Sequence, residues 1–426
     1  MIQDLSEKRQ VAVGRYLLHR QIARGGMATI HIARLMGDEG FSRIVAAKRL
    51  LPEFAEDTEF VAMFMDEARI ASKVHHPNVV PVLDLVTTTD EVMLVQEYVH
   101  GVPLHVLLRT AHECGKKIPV RISCSIATQV LAGLHAAHTT LDEMGAPLGI
   151  IHRDVSPQNV MIAVDGSARL LDFGVAKATM AAHVTRDGTF KGKLAYSAPE
   201  QVRGRPVQQS DVYALAVVLW ELLVGHRMHA TAQGEAELVA TIMGGHLPSV
   251  TEALSSASDW GSIDSDEWRH LSAIEPIVEK GLAVDVAKRY GTAAEMERAI
   301  AKAVAPASTS EVAEWVRTLG KEFIEGRDKI IAAEEASWRR APQVHRTPVP
   351  RVRTMETSNP RNPTHPFPPS ELRSVVPVNP RTMRLVLSGL ILLVLVVGVG
   401  VIWAVKPSKT AAAKPTATVE PPPTAA

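Results

Sequence analysis

From Leu385 to Val405 the chain carries 21 consecutive residues without a charge, bracketed by Arg384 and Lys406. At about 1.5 Å per residue, a helix of that length is about 31 Å long, which matches the hydrocarbon core of a bilayer. A helix buried in a soluble core could also be apolar. This run, however, is apolar on every side, rich in Val and Leu, and has Trp403 near its edge, where an interfacial anchor belongs. The segment predicts one transmembrane helix, 385–405, in a single-pass protein of the cytoplasmic (inner) membrane. Arg346, Arg351, Arg353, Arg361, Arg373, Arg381 and Arg384 precede it against only Glu356 and Glu371, whereas Lys406, Lys409 and Lys414 follow it. The positive-inside rule then places the long N-terminal part in the cytoplasm. Residues 406–426 become a short extracytoplasmic tail, too short and too polar to fold.

What precedes the membrane segment has room for a substantial core, because 46% of the whole chain is hydrophobic and 22% charged. Forty-six basic residues balance 46 acidic ones, so overall charge gives no hint of a nucleic-acid partner. Met1–Gln10 is polar and lacks the apolar centre of a secretion signal. The two cysteines, Cys114 and Cys124, read as reduced thiols rather than as a disulfide or metal pair. Residues 341–381 are crowded with Pro, Arg, Asn, Thr and Ser. Such a stretch cannot bury enough apolar surface to order itself, and it predicts a disordered linker.

Hydrophobic periodicity divides the first 300 residues in two. Up to about residue 97 the pattern predicts strands at Tyr16–Ile22, Thr29–Leu35, Ile44–Leu50, Val79–Val86 and Val92–Glu97, interrupted by one helix over Asp57–Val74. After Gly101 it predicts helices at about 119–140, 208–224, 235–244 and 271–282, with a strand-turn region at 149–175 among them. Val312, Trp315, Val316, Leu319 and Phe323 recur at helical spacing, so 305–340 predicts a helical extension. The fold class expected is α+β, with a small sheet lobe, a larger helical lobe and a cleft between them.

Three short motifs then occur in order. They are Ile151-His152-Arg153-Asp154-Val155-Ser156-Pro157-Gln158-Asn159, then Leu171-Asp172-Phe173-Gly174, then Ser197-Ala198-Pro199-Glu200. Each alone is weak, but as an ordered set the chain resembles the protein kinase family from about Tyr16 to Val304, and in particular the membrane-anchored, eukaryotic-like serine/threonine kinases of bacteria. The resemblance implies the bilobal kinase fold, a domain over 16–304 with lobes at about 16–97 and 101–304, and ATP with Mg2+ (or Mn2+) as cofactors. It implies protein substrates, autophosphorylation and signalling at the membrane, and leaves a homodimer open.

Phosphoryl transfer explains the residue types. A triphosphate needs cations to neutralise it, and hard cations take carboxylate and amide oxygens. By resemblance Asp172 and Asn159 hold the metals, and Asp154 orients the substrate hydroxyl and accepts its proton. Lys48, in Val45-Ala46-Ala47-Lys48, would grip the α- and β-phosphates, fixed by Glu67 on the helix, with Asp66 its only near rival in register. The glycine turn Ala23-Arg24-Gly25-Gly26-Met27 departs from the pattern, with only Gly25 and Gly26 keeping the backbone free to approach phosphate. In Leu94-Val95-Gln96-Glu97-Tyr98-Val99, Gln96 stands as gatekeeper while backbone groups of Glu97 and Val99 would pair with adenine. Ile22, Ile30, Ala46 and Met161 would sandwich the ring. Glu200 with Arg289 would form a buried ion pair, and Asp211 would brace the catalytic loop.

Arg153 implies control by phosphorylation, with Thr189 and Thr185 (Thr179 a rival) as regulatory sites. Tyrosine-kinase residues are absent from the catalytic loop. Ser156 nevertheless stands where serine/threonine kinases carry Lys, and Lys193 where they carry Thr, so Lys193 is expected to supply that cation in exchange. These departures keep an alternative open, a pseudokinase scaffold that binds nucleotide or partners without catalysis. A small-molecule kinase of the same fold is disfavoured by Ala198-Pro199-Glu200.

Overall fold

The computed structural model describes residues 11–340, apart from 38–40, 89–90, 174–193, 233, 246 and 257–263. The expected linker, transmembrane segment and tail, together with Lys193, Thr179, Thr185 and Thr189, lie outside the described residues. Among the described residues, no helix is long and apolar enough to cross a membrane.

Six strands form the first sheet: β1 (Val11–Val13), β2 (Tyr16–Arg24), β3 (Ala28–Met36), β4 (Ser42–Leu50), β5 (Val82–Thr87) and β6 (Val92–Glu97). Their order is β1-β2-β3-β4-β6-β5, antiparallel throughout. The lobe thus begins earlier than Tyr16, because Gly14, at φ 56°, turns β1 back onto β2. Alternation in β4 explains how the sheet serves both a core and a site. Val45 and Ala47 are buried against Val13, Tyr16 and Met93, whereas Ala46 and Lys48 face the other way. The short helix α1 (Pro52–Ala55) starts on a proline, and α2 (Thr58–Ala71) is capped by Asp57, whose side chain accepts the Glu59 amide at 2.9 Å. The predicted Val79–Val86 strand starts later. Val79 instead bridges Leu170, and the Val80 amide bonds the Leu170 carbonyl at 2.9 Å, stitching this segment to the second lobe.

The second lobe opens on β7 (Gly101–Pro103), α3 (Leu104–Glu113) and α4 (Val120–His138), followed by β8 (Val160–Ala163) and β9 (Ala168–Leu170), which join β7 in a three-stranded sheet. Then come α5 (Pro199–Val202), α6 (Gln208–Val224), α7 (Glu235–Gly244), α8 (Val250–Ser256), α9 (Ser265–Gly281) and α10 (Ala293–Ala303). Helix α6 is apolar around its circumference, and it is the centre of the lobe, with every residue from Ser210 to Val224 buried. It ends at Gly225, which adopts φ 86°. Helix α9 begins six residues before its predicted start at 271, because Asp264 caps it through the Glu267 amide at 2.8 Å.

Residues 305–340 form two helices, α11 (Thr309–Leu319) and α12 (Lys321–Arg340). A reciprocal cap between Ser308 and Glu311 starts α11. Its entry is tight: a side chain on Gly166, which sits at φ 88°, would strike the Thr309 carbonyl.

Candidate active site

Strand register gathers the first group of predicted residues. Ile30 pairs with Lys48, and Ala46 pairs with Gln96, so all four lie on one face of the sheet. Val99 packs with Ala163, and Met161 lies against the same small cluster. Ile22, Ile30, Ala46 and Met161 are half-buried rather than sealed, as residues lining a cleft should be. Gly25 and Gly26 form an exposed turn closed by the Gly25 amide on the Ala28 carbonyl at 2.8 Å. Side chains built there would meet open space or ordinary contact, so packing alone does not require glycine at either position.

Lys48 is buried, and its Nζ donates to Glu67 Oε1 at 2.7 Å and reaches Asp172 Oδ2 at 3.1 Å. Burial opposes the ammonium charge, but Asp172 and Glu67 together outweigh it and raise the Lys48 pKa above its usual value. Gln96 Nε2 donates to the other oxygen of Asp172 at 3.4 Å. That contact has no signal in the sequence, because it joins residues of the two lobes.

On the second lobe, Asn159 Nδ2 donates to the Asp154 carbonyl at 2.8 Å and also to its carboxylate. The Leu171 amide donates to the Asn159 carbonyl at 2.8 Å, which fixes Asp172 next to this loop. His152 links the two stretches as well. Its Nε2 donates to the Leu171 carbonyl at 2.9 Å while its Nδ1 accepts the Asp154 amide at 3.3 Å, a pair of bonds that selects one tautomer. Beneath the loop, the Asp211 carboxylate, 1% exposed, accepts the amides of His152 and Arg153 at 2.8 Å each and His138 Nε2 at 2.7 Å. This clamp holds Arg153 at φ 62° and with it the left-handed kink that presents Asp154; Asp172 is also left-handed, at φ 35°. The expected bracing role of Asp211 is therefore visible as geometry.

The glutamate–arginine pair forms as well, Arg289 Nη1 and Nη2 donating to the Glu200 oxygens at 2.7 and 2.8 Å. Gln201 Nε2, next to Glu200, donates to the Arg153 carbonyl at 2.8 Å. Glu97 is anchored through its side chain, which accepts Arg169 at 3.0 Å and approaches Arg43 at 3.4 Å. Its amide donates to the Pro81 carbonyl at 3.1 Å. Ser156 is 2% exposed and its hydroxyl has no partner among the described residues.

Asp172 and Asn159 bring one carboxylate and one amide oxygen to the cleft. Among the described residues, no group of three or more His, Cys, Asp or Glu could hold a metal alone. A site with two hard oxygen donors suits Mg2+, which keeps its remaining positions for water and substrate phosphates.

A family model described as "Protein kinase domain" matches residues 16–300. The tyrosine-protein kinase MasK of Myxococcus xanthus is 40% identical over 232 residues, 54% of this chain and 36% of that protein. The serine/threonine-protein kinase PrkC of Bacillus subtilis is 34% identical over 285 residues, 67% of this chain and 40% of its own length. The serine/threonine-protein kinase PknH of Mycobacterium bovis is 30% identical over 320 residues, 75% and 49% of the two chains. The chain spans less than half the length of these relatives. The crystal structure of the Mycobacterium tuberculosis PknI kinase domain aligns with a TM-score of 0.50 at 24% identity, covering 69% of this chain and 97% of that one, a likeness of fold.

Proposed function

Because this chain belongs to the protein kinase family, we propose that it phosphorylates serine and threonine hydroxyls of proteins, its own included, with ATP and a divalent ion, typically Mg2+. The observation that carries this reading is the Glu67–Lys48–Asp172 arrangement at 2.7 and 3.1 Å facing the loop of Asp154 and Asn159. Lys48 supplies a fixed cation for the phosphates, and Glu67 holds it in place. Asp172 and Asn159 would hold the metal, which neutralises charge on the phosphates when bound. Asp154 orients the substrate hydroxyl and takes its proton. The carbonyl of Glu97 and the backbone of Val99 serve the adenine, whose faces meet Ile22, Ile30, Ala46 and Met161. The glycine turn, Gly25 and Gly26, covers the phosphates. The retained Lys48, Glu67, Asp154, Asn159 and Asp172 oppose a scaffold that has lost catalysis.

Two readings of acceptor class compete, since MasK bears the name of a tyrosine kinase. The catalytic loop favours serine and threonine. Purified full-length chain incubated with ATP and Mg2+ should accumulate phosphoserine and phosphothreonine, with Thr189 or Thr185 among the sites. Phosphotyrosine alone would overturn the acceptor class, and no phosphate at all the activity. In the same assay Lys193→Thr should cripple turnover and added Ser156→Lys should restore much of it. The buried Ser156 hydroxyl, unpartnered among the described residues, fits a second group arriving there. A harmless Lys193→Thr would place that lysine outside the chemistry.

We also propose that residues 385–405 anchor the protein in the cytoplasmic membrane with the kinase domain in the cytoplasm, through a 341–381 linker. The 21-residue uncharged run supports this. A reporter fused after Ala426 should be exposed outside that membrane; reporter activity confined to the cytoplasm would refute the topology.

A further inference from the structure

Strand β2 is irregular where it approaches the glycine turn. Its register against β3 shifts between Leu18 and Gln21 and again between Gln21 and Ala23, so Ile22 sits inside a bulge. A bulge disrupts the ladder and leaves backbone groups that need other partners. The His19 carbonyl accepts His31 Nδ1 at 3.3 Å. The Ile22 carbonyl accepts a guanidinium from more than 300 residues away in sequence, Arg327 Nη2 of α12, at 3.0 Å.

That bond is one of several along α12. Glu334 Oε2 lies 2.9 Å from the ring of His19, Glu335 lies 3.6 Å from Arg34 on β3, and the Arg34 guanidinium sits 4.9 Å from the Trp338 ring. His19 and Arg34 have buried side chains, 2% and 8% exposed, so these contacts seat the helix on the sheet. The other end of α12 is fixed to the second lobe. A side chain on Gly320, just before it, would come within 2.6 Å of Val102 on β7. Between the two ends, Asp328 meets His100 at 2.9 Å, immediately after the segment that joins the lobes. A helix of 20 residues spans about 30 Å, enough to bridge both lobes.

We propose that α12 is a strap between the lobes and that Arg327 is a positioning residue for the nucleotide, holding Ile22 and the glycine turn over the cleft. The proposal rests on the kinase reading, since Ile22 matters to catalysis only if a nucleotide lies beneath it. Arg327 touches no reacting atom; it acts through the Ile22 carbonyl. Its loss lets the bulge and turn relax, which weakens nucleotide binding while leaving the chemistry of Asp154 in place.

The test uses the full chain and two readouts. With Asp154→Asn as background, in which phosphoryl transfer is strongly reduced, Arg327→Ala should raise the Kd for a fluorescent ADP analogue with Mg2+ about tenfold. In the otherwise native chain KM for ATP should rise by the same factor with kcat little changed, and Arg327→Lys should recover part of the loss because an ammonium also donates to a carbonyl. Hydrogen exchange without nucleotide should show the amides of Ala23–Gly25 opening faster in Arg327→Ala than in the native chain. Equal Kd and equal exchange would overturn the strap while leaving the kinase reading intact. Faster exchange in Arg327→Ala, together with a native chain that binds no nucleotide, would keep the strap and overturn the kinase reading. A fall in kcat with unchanged KM would also overturn the assignment.

Discussion

Full-length chain carrying Asp154→Asn is expected to lose phosphoryl transfer by a factor on the order of 10²–10⁴, the range attributed to a positioned proton acceptor, while still binding nucleotide. Asparagine keeps the shape of the side chain, and the Asp154 carbonyl still accepts Asn159 Nδ2 at 2.8 Å. The loop is held from below by Asp211 through the amides of residues 152 and 153, so it does not depend on the Asp154 carboxylate for its fold. In the proposed role of Asp154, only basicity and negative charge at the substrate hydroxyl are removed. Lys48→Ala is the contrasting case, because it strips the countercharge from Glu67, which is 2% exposed. That change should weaken nucleotide binding and stability as well as turnover. The comparison is made by single-turnover phosphorylation together with nucleotide affinity for each variant. Near-native turnover in Asp154→Asn would remove Asp154 from the role of base.

The part of this site that the sequence makes legible is the part where chemistry dictates residue type. A buried ammonium needs a carboxylate, and the resemblance to the family pairs Lys48 on its strand with Glu67 on the helix, which the structure brings to 2.7 Å. Asp154, Asn159 and Asp172 are found for a similar reason. What the sequence conceals is support supplied by backbone irregularity and by long-range partners. The Ile22 bulge has no compositional mark, and Arg327 is one of three arginines on a polar helix. Gln96 reads as a gatekeeper, yet its bond to Asp172 follows from how the lobes close. Helix α3 escapes the periodicity reading because it is short and begins directly from β7. The first strand, β1, is hidden because three residues are too few to show alternation.

Arg289→Ala should be the most destabilising single change outside the cleft, by about 3–5 kcal/mol, the cost of leaving a buried charge without its partner. Arg289 has a fully buried side chain that donates to both Glu200 oxygens and to the carbonyls of Ala283 at 2.6 Å, Gln209 at 3.1 Å and Val284 at 3.2 Å. It also lies 4.9 Å from the Tyr213 ring. Removing it takes a donor from three carbonyls as well as from Glu200, whose only other side-chain donor among the described residues is Ser210 at 2.5 Å. In the native protein, burial pushes the Glu200 carboxyl upward, but Arg289 and Ser210 pull harder, and its pKa ends below the usual 4.5. The unfolded chain takes up a proton near pH 4.5 before the native one does, so the contribution of Glu200 is present above that pH and is lost as pH falls through the lower native value. Without Arg289 the balance reverses, because burial then dominates and favours protonated Glu200. The variant should therefore be most damaged near neutral pH and come closer to the native stability near pH 4. Thermal unfolding of the two proteins at pH 7 and pH 4 measures this, and the neutral-pH loss corresponds to a Tm shift of about 5–8 °C for a domain of this size. Replacing both partners by apolar residues, Arg289→Met with Glu200→Leu, should recover stability relative to Arg289→Ala, since no buried charge is left behind. It should not recover activity in full, because Gln201 reaches the Arg153 carbonyl from the turn that Glu200 anchors. If Arg289→Ala cost less than about 1 kcal/mol at neutral pH, or its damage grew toward acid, the pair would not be the brace that its geometry describes.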